Sequence, residues 1–308
     1  MERIVDKEAL KKFVEDNPKL VKMRPAGDNI FVLKYSKSVF FDDLWNDYLE
    51  ECRGTVVDAD FNVISRPFTK IYNYGIEARA PRIALSTPVT AYRKVNGFMV
   101  ALTWHNDDIL VSTTGSTNSP YVLLAREMMI KEQPWSNWVS AISMNRGYTM
   151  MFECVHPNDP HIIPELAGMY FLGWRENTWD SQVQGYGKDV ADHWRNFALG
   201  LLHCKYPEVF HTTLGELQSM SRSVKHEGFV FYTEDNISAK IKSPWYLTNK
   251  WVARNPRTDK LADLKNDIKK NLDEEYYPLV DAIRANIAEY TAMDEQSRLA
   301  WVRNFVGA

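Results

Sequence analysis

Strand-like runs in this sequence arrive in pairs, and each pair is joined by a turn too short to hold a crossover helix. Residues 55–57 and 62–64 flank Asp58-Ala59-Asp60, and residues 98–104 and 109–113 flank His105-Asn106-Asp107. Residues 228–232 are followed closely by 237–241. Connections this short allow antiparallel hairpins and exclude the parallel pairing that needs a long crossover. Further strand-like runs lie at 31–35, 148–155 and 169–174. Helical patterns cover 6–15, 120–131, 135–144, 187–201 and 214–221, the first with Asp6 as its N-cap and Pro18 beyond its end.

Beyond Pro244 the β signal stops. Leu261, Leu264, Ile268 and Leu272 recur at helical spacing, as do Val280, Ile283, Ile287 and Tyr290. The expected fold is therefore α+β. A body of antiparallel sheets with flanking helices occupies residues 1–253, and a small all-α domain occupies 254–308.

With 308 residues, 45% of them hydrophobic, the chain is long enough for a sizeable core. A net charge of −3 offers no global positive field, so any phosphate-binding surface has to be local. Cys52, Cys154 and Cys204 are too few and too scattered for a disulfide framework, and they read as reduced thiols. The start, MERIVDKEALKKFVED, is amphipathic rather than an apolar signal core. No apolar run approaches the roughly 20 residues that span a bilayer. A soluble, cytoplasmic monomer without membrane attachment is expected.

Several stretches carry chemistry. Lys94-Val95-Asn96-Gly97 leads into a hairpin. Glu153 interrupts the apolar strand Thr149-Met150-Met151-Phe152-Glu153-Cys154-Val155, and Phe171-Leu172-Gly173-Trp174-Arg175 ends a strand in a cation. Glu227-Gly228-Phe229-Val230 opens a strand with an acid. Lys240-Ile241-Lys242 puts two lysines on one strand face, because side chains alternate with period two.

In that order these stretches resemble the motifs of covalent nucleotidyltransferases, the ligases and mRNA-capping enzymes. The closest resemblance is to ATP-dependent RNA ligases of the bacteriophage RNA ligase 1 type. Glu51-Cys52-Arg53-Gly54-Thr55-Val56 and Ser65-Arg66-Pro67-Phe68-Thr69-Lys70-Ile71-Tyr72-Asn73-Tyr74-Gly75 resemble the N-terminal signatures of those ligases. The resemblance covers about residues 30 to 250 and implies a nucleotidyltransferase, ATP-grasp-like body.

The same resemblance assigns roles. Lys94 is the nucleophile that takes up AMP from ATP, and Lys240 and Lys242 grip the α-phosphate. Glu153 holds the nucleotide sugar, and Phe171 lies in the segment whose aromatic residue packs near the base. Glu227, with Gly228 beside it, positions metal and nucleotide, and Glu153 and Glu227 are the implied ligands of Mg2+, or of Mn2+ in its place. Asn96 and Gly97 complete the lysine motif, and Arg53, Lys70 and Tyr72 match positions lining the nucleotide pocket. The implied partner is RNA with 5′-phosphate and 3′-hydroxyl ends, in RNA or tRNA repair. Asn96 stands where many relatives have Asp, and Thr114 stands where relatives often have Lys or Arg.

The residue types suit the chemistry. An amine attacks phosphorus only when unprotonated, and a free lysine has a pKa of ~10.4. Cations nearby disfavour the ammonium and also neutralise charge that develops on the phosphate. Magnesium keeps several waters, so isolated carboxylates plus phosphate oxygens suffice for it. DNA ligases and capping guanylyltransferases normally continue into a strand-rich domain after the last lysine motif, and the helical period here disfavours both. A non-catalytic RNA-binding relative is disfavoured by the presence of Lys94, both acids and both motif lysines. The helical tail is expected to govern RNA choice. His156-Pro157-Asn158-Asp159-Pro160-His161 reads as a turn rather than a metal site, and Trp135 and Trp138 as core residues.

Overall fold

The computed structural model describes residues 5–27, 29–159, 161, 163, 165–186, 200–254, 261, 263, 267–272 and 274–306. The chain divides into two units, Met1–Lys70 with Val95–Pro207, and Ile71–Lys94 with Glu208–Ala308. The helical reading of 187–201 falls almost wholly outside the described residues, as does Leu264.

The first unit holds two sheets. One has the order β1-β2-β3-β4, formed by Val21–Gly27, Ile30–Tyr35, Arg53–Asp58 and Val63–Ser65. Helix α1 (Lys7–Asp16) precedes it, and the Asp6 carboxylate caps the helix by accepting the Ala9 N–H. Short helices α2 (Lys37–Phe41) and α3 (Asp47–Glu51) link β2 to β3. The β3–β4 turn closes on Asp58, whose carboxylate accepts the N–H groups of Asp60 and Asn62 at 2.9 Å. Strand β1 went unrecognised in the sequence because most of it is exposed and it carries Pro25, as edge strands do.

The other sheet of this unit is built from β7 (Phe98–His105), β8 (Asp108–Thr113), β9 (Tyr148–Val155), β10 (Gly168–Glu176) and β11 (Gln184–Tyr186), in the order β11-β10-β9-β7-β8. The β7–β8 hairpin turns on Asn106 and Asp107, both at positive φ, with His105 opposite Asp108. Helices α4 (Pro120–Glu132) and α5 (Trp135–Ser143) cover one face. Their Met128, Met129, Trp138 and Ile142 pack on Val100, Leu102, Met150, Phe152 and Phe171 as the main core. Trp138 is fully buried and donates its indole N–H to the Met129 carbonyl, which satisfies the one polar atom the core encloses there.

The second unit carries β5 (Tyr72–Asn73), β6 (Pro88–Arg93), β12 (Val209–Thr213), β13 (Gly228–Tyr232) and β14 (Ser238–Lys242), in the order β12-β6-β13-β14-β5. Helix α6 (Leu214–Ser223) opens with a capping box between Thr213 and Glu216. It packs Leu214 and Leu217 on Val89, Ala91, Phe229, Phe231 and Ala239. After β14 come α7 (Pro244–Arg254), α8 (Tyr277–Ala285), α9 (Ile287–Ala292) and α10 (Glu295–Val306), and the described residues beyond Lys242 include no strand. The tail is thus helical as its periodicity foretold, with Leu279, Val280, Ile283 and Tyr290 buried. All three cysteines are buried free thiols, and burial pushes the Cys154 thiol up to about 12. No helix among the described residues is long and apolar enough to cross a membrane.

Candidate active site

Strand β6 ends at Arg93, and Lys94 follows it directly. The Lys94 backbone N–H donates to the Gly228 carbonyl at 2.8 Å, which extends the β6–β13 ladder by one rung and pins the lysine at the strand end. Its ammonium lies 3.1 Å from the Glu227 carboxylate, and the Lys242 ammonium lies 3.7 Å from the same oxygen. Glu227 is buried, whereas the Lys94 side chain is 24% exposed. One carboxylate therefore serves two ammonium groups, and the more open of the two belongs to Lys94.

This arrangement follows from register. Gly228 stands opposite Lys242, and Val230 opposite Lys240, on the antiparallel β13–β14 pair. Lys240 and Lys242 share a strand face, while Ile241 between them packs on the core with Phe229 opposite it. Gly228 has φ +129, and a Cβ there would lie 2.0 Å from the Ile241 carbonyl oxygen. No other residue fits that position without moving a strand. Ser243 ties the two strand ends together. Its N–H donates to the Glu227 carbonyl at 3.0 Å, and its hydroxyl donates to the His226 carbonyl. The His226 ring accepts the Gly228 N–H, and burial, with Arg93 nearby, lowers its pKa and favours the neutral form. Tyr72 is buried on β5, which pairs in parallel with β14 and sets Asn73 beside Lys240.

The other sequence-marked residues belong to the first unit. The Glu153 carboxylate accepts the Gly97 N–H at 3.1 Å, and a Cβ on Gly97 would lie 2.3 Å from the Cys154 carbonyl oxygen. Glycine is what lets the chain after Lys94 approach β9 so closely. Glu153 alternates with Phe152 and Cys154, which enter the core, so it points to the opposite face of its sheet. Asn96 is buried. Arg53 donates to the Thr69 carbonyl at 3.1 Å, and Lys70 is buried with its ammonium 4.2 Å from the Trp45 ring centroid. The Phe171 ring is enclosed by core neighbours including Phe152 and Tyr206, with no exposed surface. In this structure it supports its strand from within and presents no face to a base.

Sequence reading assigned no role to the buried ion cluster beneath the signatures. Glu51 accepts hydrogen bonds from Arg66 at 3.0 and 3.2 Å and from Arg175 at 2.7 and 2.9 Å. Burial by itself raises the pKa of the Glu51 carboxyl, but the Arg175 and Arg66 guanidiniums outweigh it and hold the group below the usual range. Arg66 also donates to the Ser181 and Thr178 carbonyls, and Arg175 to that of Pro67. The charged residues of the two signatures thus act partly as a clamp on the scaffold.

The described residues contain no cluster of three or more His, Cys, Asp or Glu arranged to hold a metal. A cation caged by protein does not fit them. A cation held by Glu227 alone, mainly hydrated and bound through phosphate, does fit.

A family model described as RNA ligase matches residues 51–246. Among solved structures, a putative ATP-dependent DNA ligase from Aquifex aeolicus is similar with a TM-score of 0.57 and 15% identity, covering 98% of this chain and 77% of that one. An archaeal ATP-dependent RNA ligase in its form 2 gives 0.57 and 15%, covering 96% and 75%. Its form 1 gives 0.57 and 13%, covering 97% and 74%. At these identities the structural likeness speaks for the fold, an α+β nucleotidyltransferase arrangement.

Proposed function

Because the chain belongs to the RNA ligase family, we propose that it seals RNA with ATP through a covalent lysyl-AMP, with Lys94 as the nucleophile. The observation that carries this reading is the Lys94–Glu227–Lys242 group at the end of β6, where the most open lysine is also the one the motif order marks. Attack needs the amine lone pair, so Lys94 has to part from Glu227 and lose its proton first. Lys242, with Lys240 two residues away on the same strand face, then neutralises charge on the α-phosphate. Because both lysines ride on a paired strand, their placement is fixed before substrate arrives.

The reaction proceeds in three steps. The Lys94 nitrogen bonds to the α-phosphorus of ATP as pyrophosphate leaves. The AMP then passes to the 5′-phosphate of an RNA, freeing the lysine. Finally a 3′-hydroxyl attacks that activated phosphorus, forming the phosphodiester and releasing AMP. A divalent metal, Mg2+ or Mn2+, would be held at Glu227 and supply further charge neutralisation at phosphate. In the other unit, the motif order assigns Glu153 to the nucleotide sugar and Arg53 and Lys70 to the nucleotide. The helical tail beyond Arg254 is assigned to the choice of RNA, with repair of broken RNA, tRNA included, as the role.

The test is incubation with α-labelled ATP and magnesium, followed by denaturing electrophoresis. A labelled band with ATP and none with GTP supports a ligase. Label from GTP instead would make the protein a capping-type guanylyltransferase, and no label from either would make it a non-catalytic relative.

A further inference from the structure

Thr114 stands where related ligases often carry a cation, and its surroundings hold an unusual concentration of positive charge. Lys34 on β2 lies directly opposite Lys22 on β1 and Arg53 on β3. Arg24 follows Lys22 by two residues and so shares its face. Like charges directly opposite one another weaken a sheet, so this face carries a standing cost. Among the described residues, none of Arg24, Lys34 and Arg53 has a carboxylate partner. Arg24 and Arg53 each donate to a backbone carbonyl, of Gly115 and of Thr69, at 3.1 Å, and the Lys34 ammonium sits 4.5 Å from the Tyr35 ring centroid.

The loop of residues 113–116 is laid against these cations. Its ends are joined by the Thr113 N–H to the Ser116 carbonyl at 2.9 Å. Gly54 has φ +106, and a Cβ there would lie 2.8 Å from the Thr114 Cα. A Cβ on Gly115 would lie 3.3 Å from an Arg24 guanidinium nitrogen and 3.6 Å from the Lys34 stem. Glycine at both contact points brings Thr114 against the charged face with no bulk between them.

We infer that Arg24, Lys34 and Arg53 form a phosphate-binding subsite, in which β1 and β2 supply the positive charge that Thr114 lacks. Burial, then Arg53, then Arg24 bring the Lys34 ammonium down to about 8, the state of a cation awaiting an anion. The ligand chemistry is a phosphoryl anion. It has two sources in a ligase, the terminal phosphates of the nucleotide or the 5′-phosphate of the RNA, and the subsite's role in ligation rests on the reading given above.

Two probes separate the sources. Inorganic pyrophosphate represents the nucleotide end, and a 5′-phosphorylated oligoribonucleotide, compared with its 5′-hydroxyl twin, represents the RNA end. Dissociation constants are measured calorimetrically for the full chain and for Lys34→Met, which keeps the apolar stem, and Arg24→Gln at an exposed position. Both variants should bind one of the two anions about tenfold more weakly, the scale of one lost charge-assisted hydrogen bond. Thr114→Lys added to Lys34→Met should restore much of that loss, which a merely structural lysine would not allow. Unchanged affinity for both anions in Arg24→Gln, or no restoration by Thr114→Lys, overturns the subsite. Failure of the ligase reading looks different, since the unaltered chain would then take no label from ATP whatever these affinities are.

Discussion

Removing the charge of Glu51 should be among the most damaging single changes to the first unit. In Glu51→Gln the two guanidiniums of Arg66 and Arg175, each at most 1% exposed, lose their shared counter-charge and face each other inside the protein. Four charge-assisted hydrogen bonds converge on that carboxylate, and an amide can accept only through its one oxygen. Breaking a buried ion group from one side costs about 3–5 kcal/mol. That is a large part of the total stability of a typical domain, which is about 5–15 kcal/mol. At about 2–4 °C per kcal/mol for a domain of this size, the melting temperature should fall by roughly 10 °C. Trp179 reports the event directly, because its ring stacks on the Arg66 guanidinium at 4.9 Å and its fluorescence will change when the cluster opens. The pH dependence has a definite sign. The folded pKa of Glu51 lies below its ordinary value of 4.5, so its stabilisation is complete above that value and is lost as pH falls through the folded pKa. The variant should therefore lose less stability than the native chain on acidification below about pH 4.5. Glu8→Gln, at an exposed surface pair, should leave the melting temperature unchanged. A Glu51→Gln protein as stable as the native chain would refute the reasoning, since the cluster would then contribute nothing.

Gly228→Ala should weaken β13–β14 pairing and depress AMP labelling, because its Cβ would meet the Ile241 carbonyl. Restored labelling after that substitution alone would show that the strands have slack the geometry denies. Lys242→Ala should slow adenylylation with little change in melting temperature, and large destabilisation with normal labelling would assign it a structural role. A chain ending at Arg254 should still form lysyl-AMP while sealing a structured RNA less well relative to a plain single strand. Equal loss on both RNAs, or unfolding, would make the tail a buttress, as its contacts from Tyr276 to Lys250 and from Glu274 to Asn73 already allow.

How much of this was legible in the sequence depended on where the determining contacts lie. The β7–β8 and β13–β14 hairpins carry their own evidence, in alternating side chains and in turn residues such as Asn106 and Asp107 that tolerate positive φ. Strands β6 and β12 do not. Thr, Pro and His interrupt their apolar pattern, and they are strands because each has a ladder partner, Val209 against Tyr92 for example. The sequence also shows that Lys94 lies between two strands. It does not show that those strands, β6 and β7, belong to different sheets. The motif order pointed to Glu227 and Lys242, and the structure shows their shared ion pair with Lys94. Glu51 with Arg175 could not be paired in advance, because neither spacing nor periodicity links residues so distant in the chain. The cation face of Lys34 was hidden for the same reason, since only the register across three strands aligns it with Arg24 and Arg53.

The central claim is that Lys94 accepts AMP. The most direct measurement is mass mapping of the native chain after incubation with ATP and magnesium, in parallel with Lys94→Ala under identical conditions. The account predicts one adenylylated peptide in the native chain, with the added AMP on Lys94, and an unmodified but folded Lys94→Ala protein. AMP found on another residue, or undiminished AMP in Lys94→Ala, would contradict it.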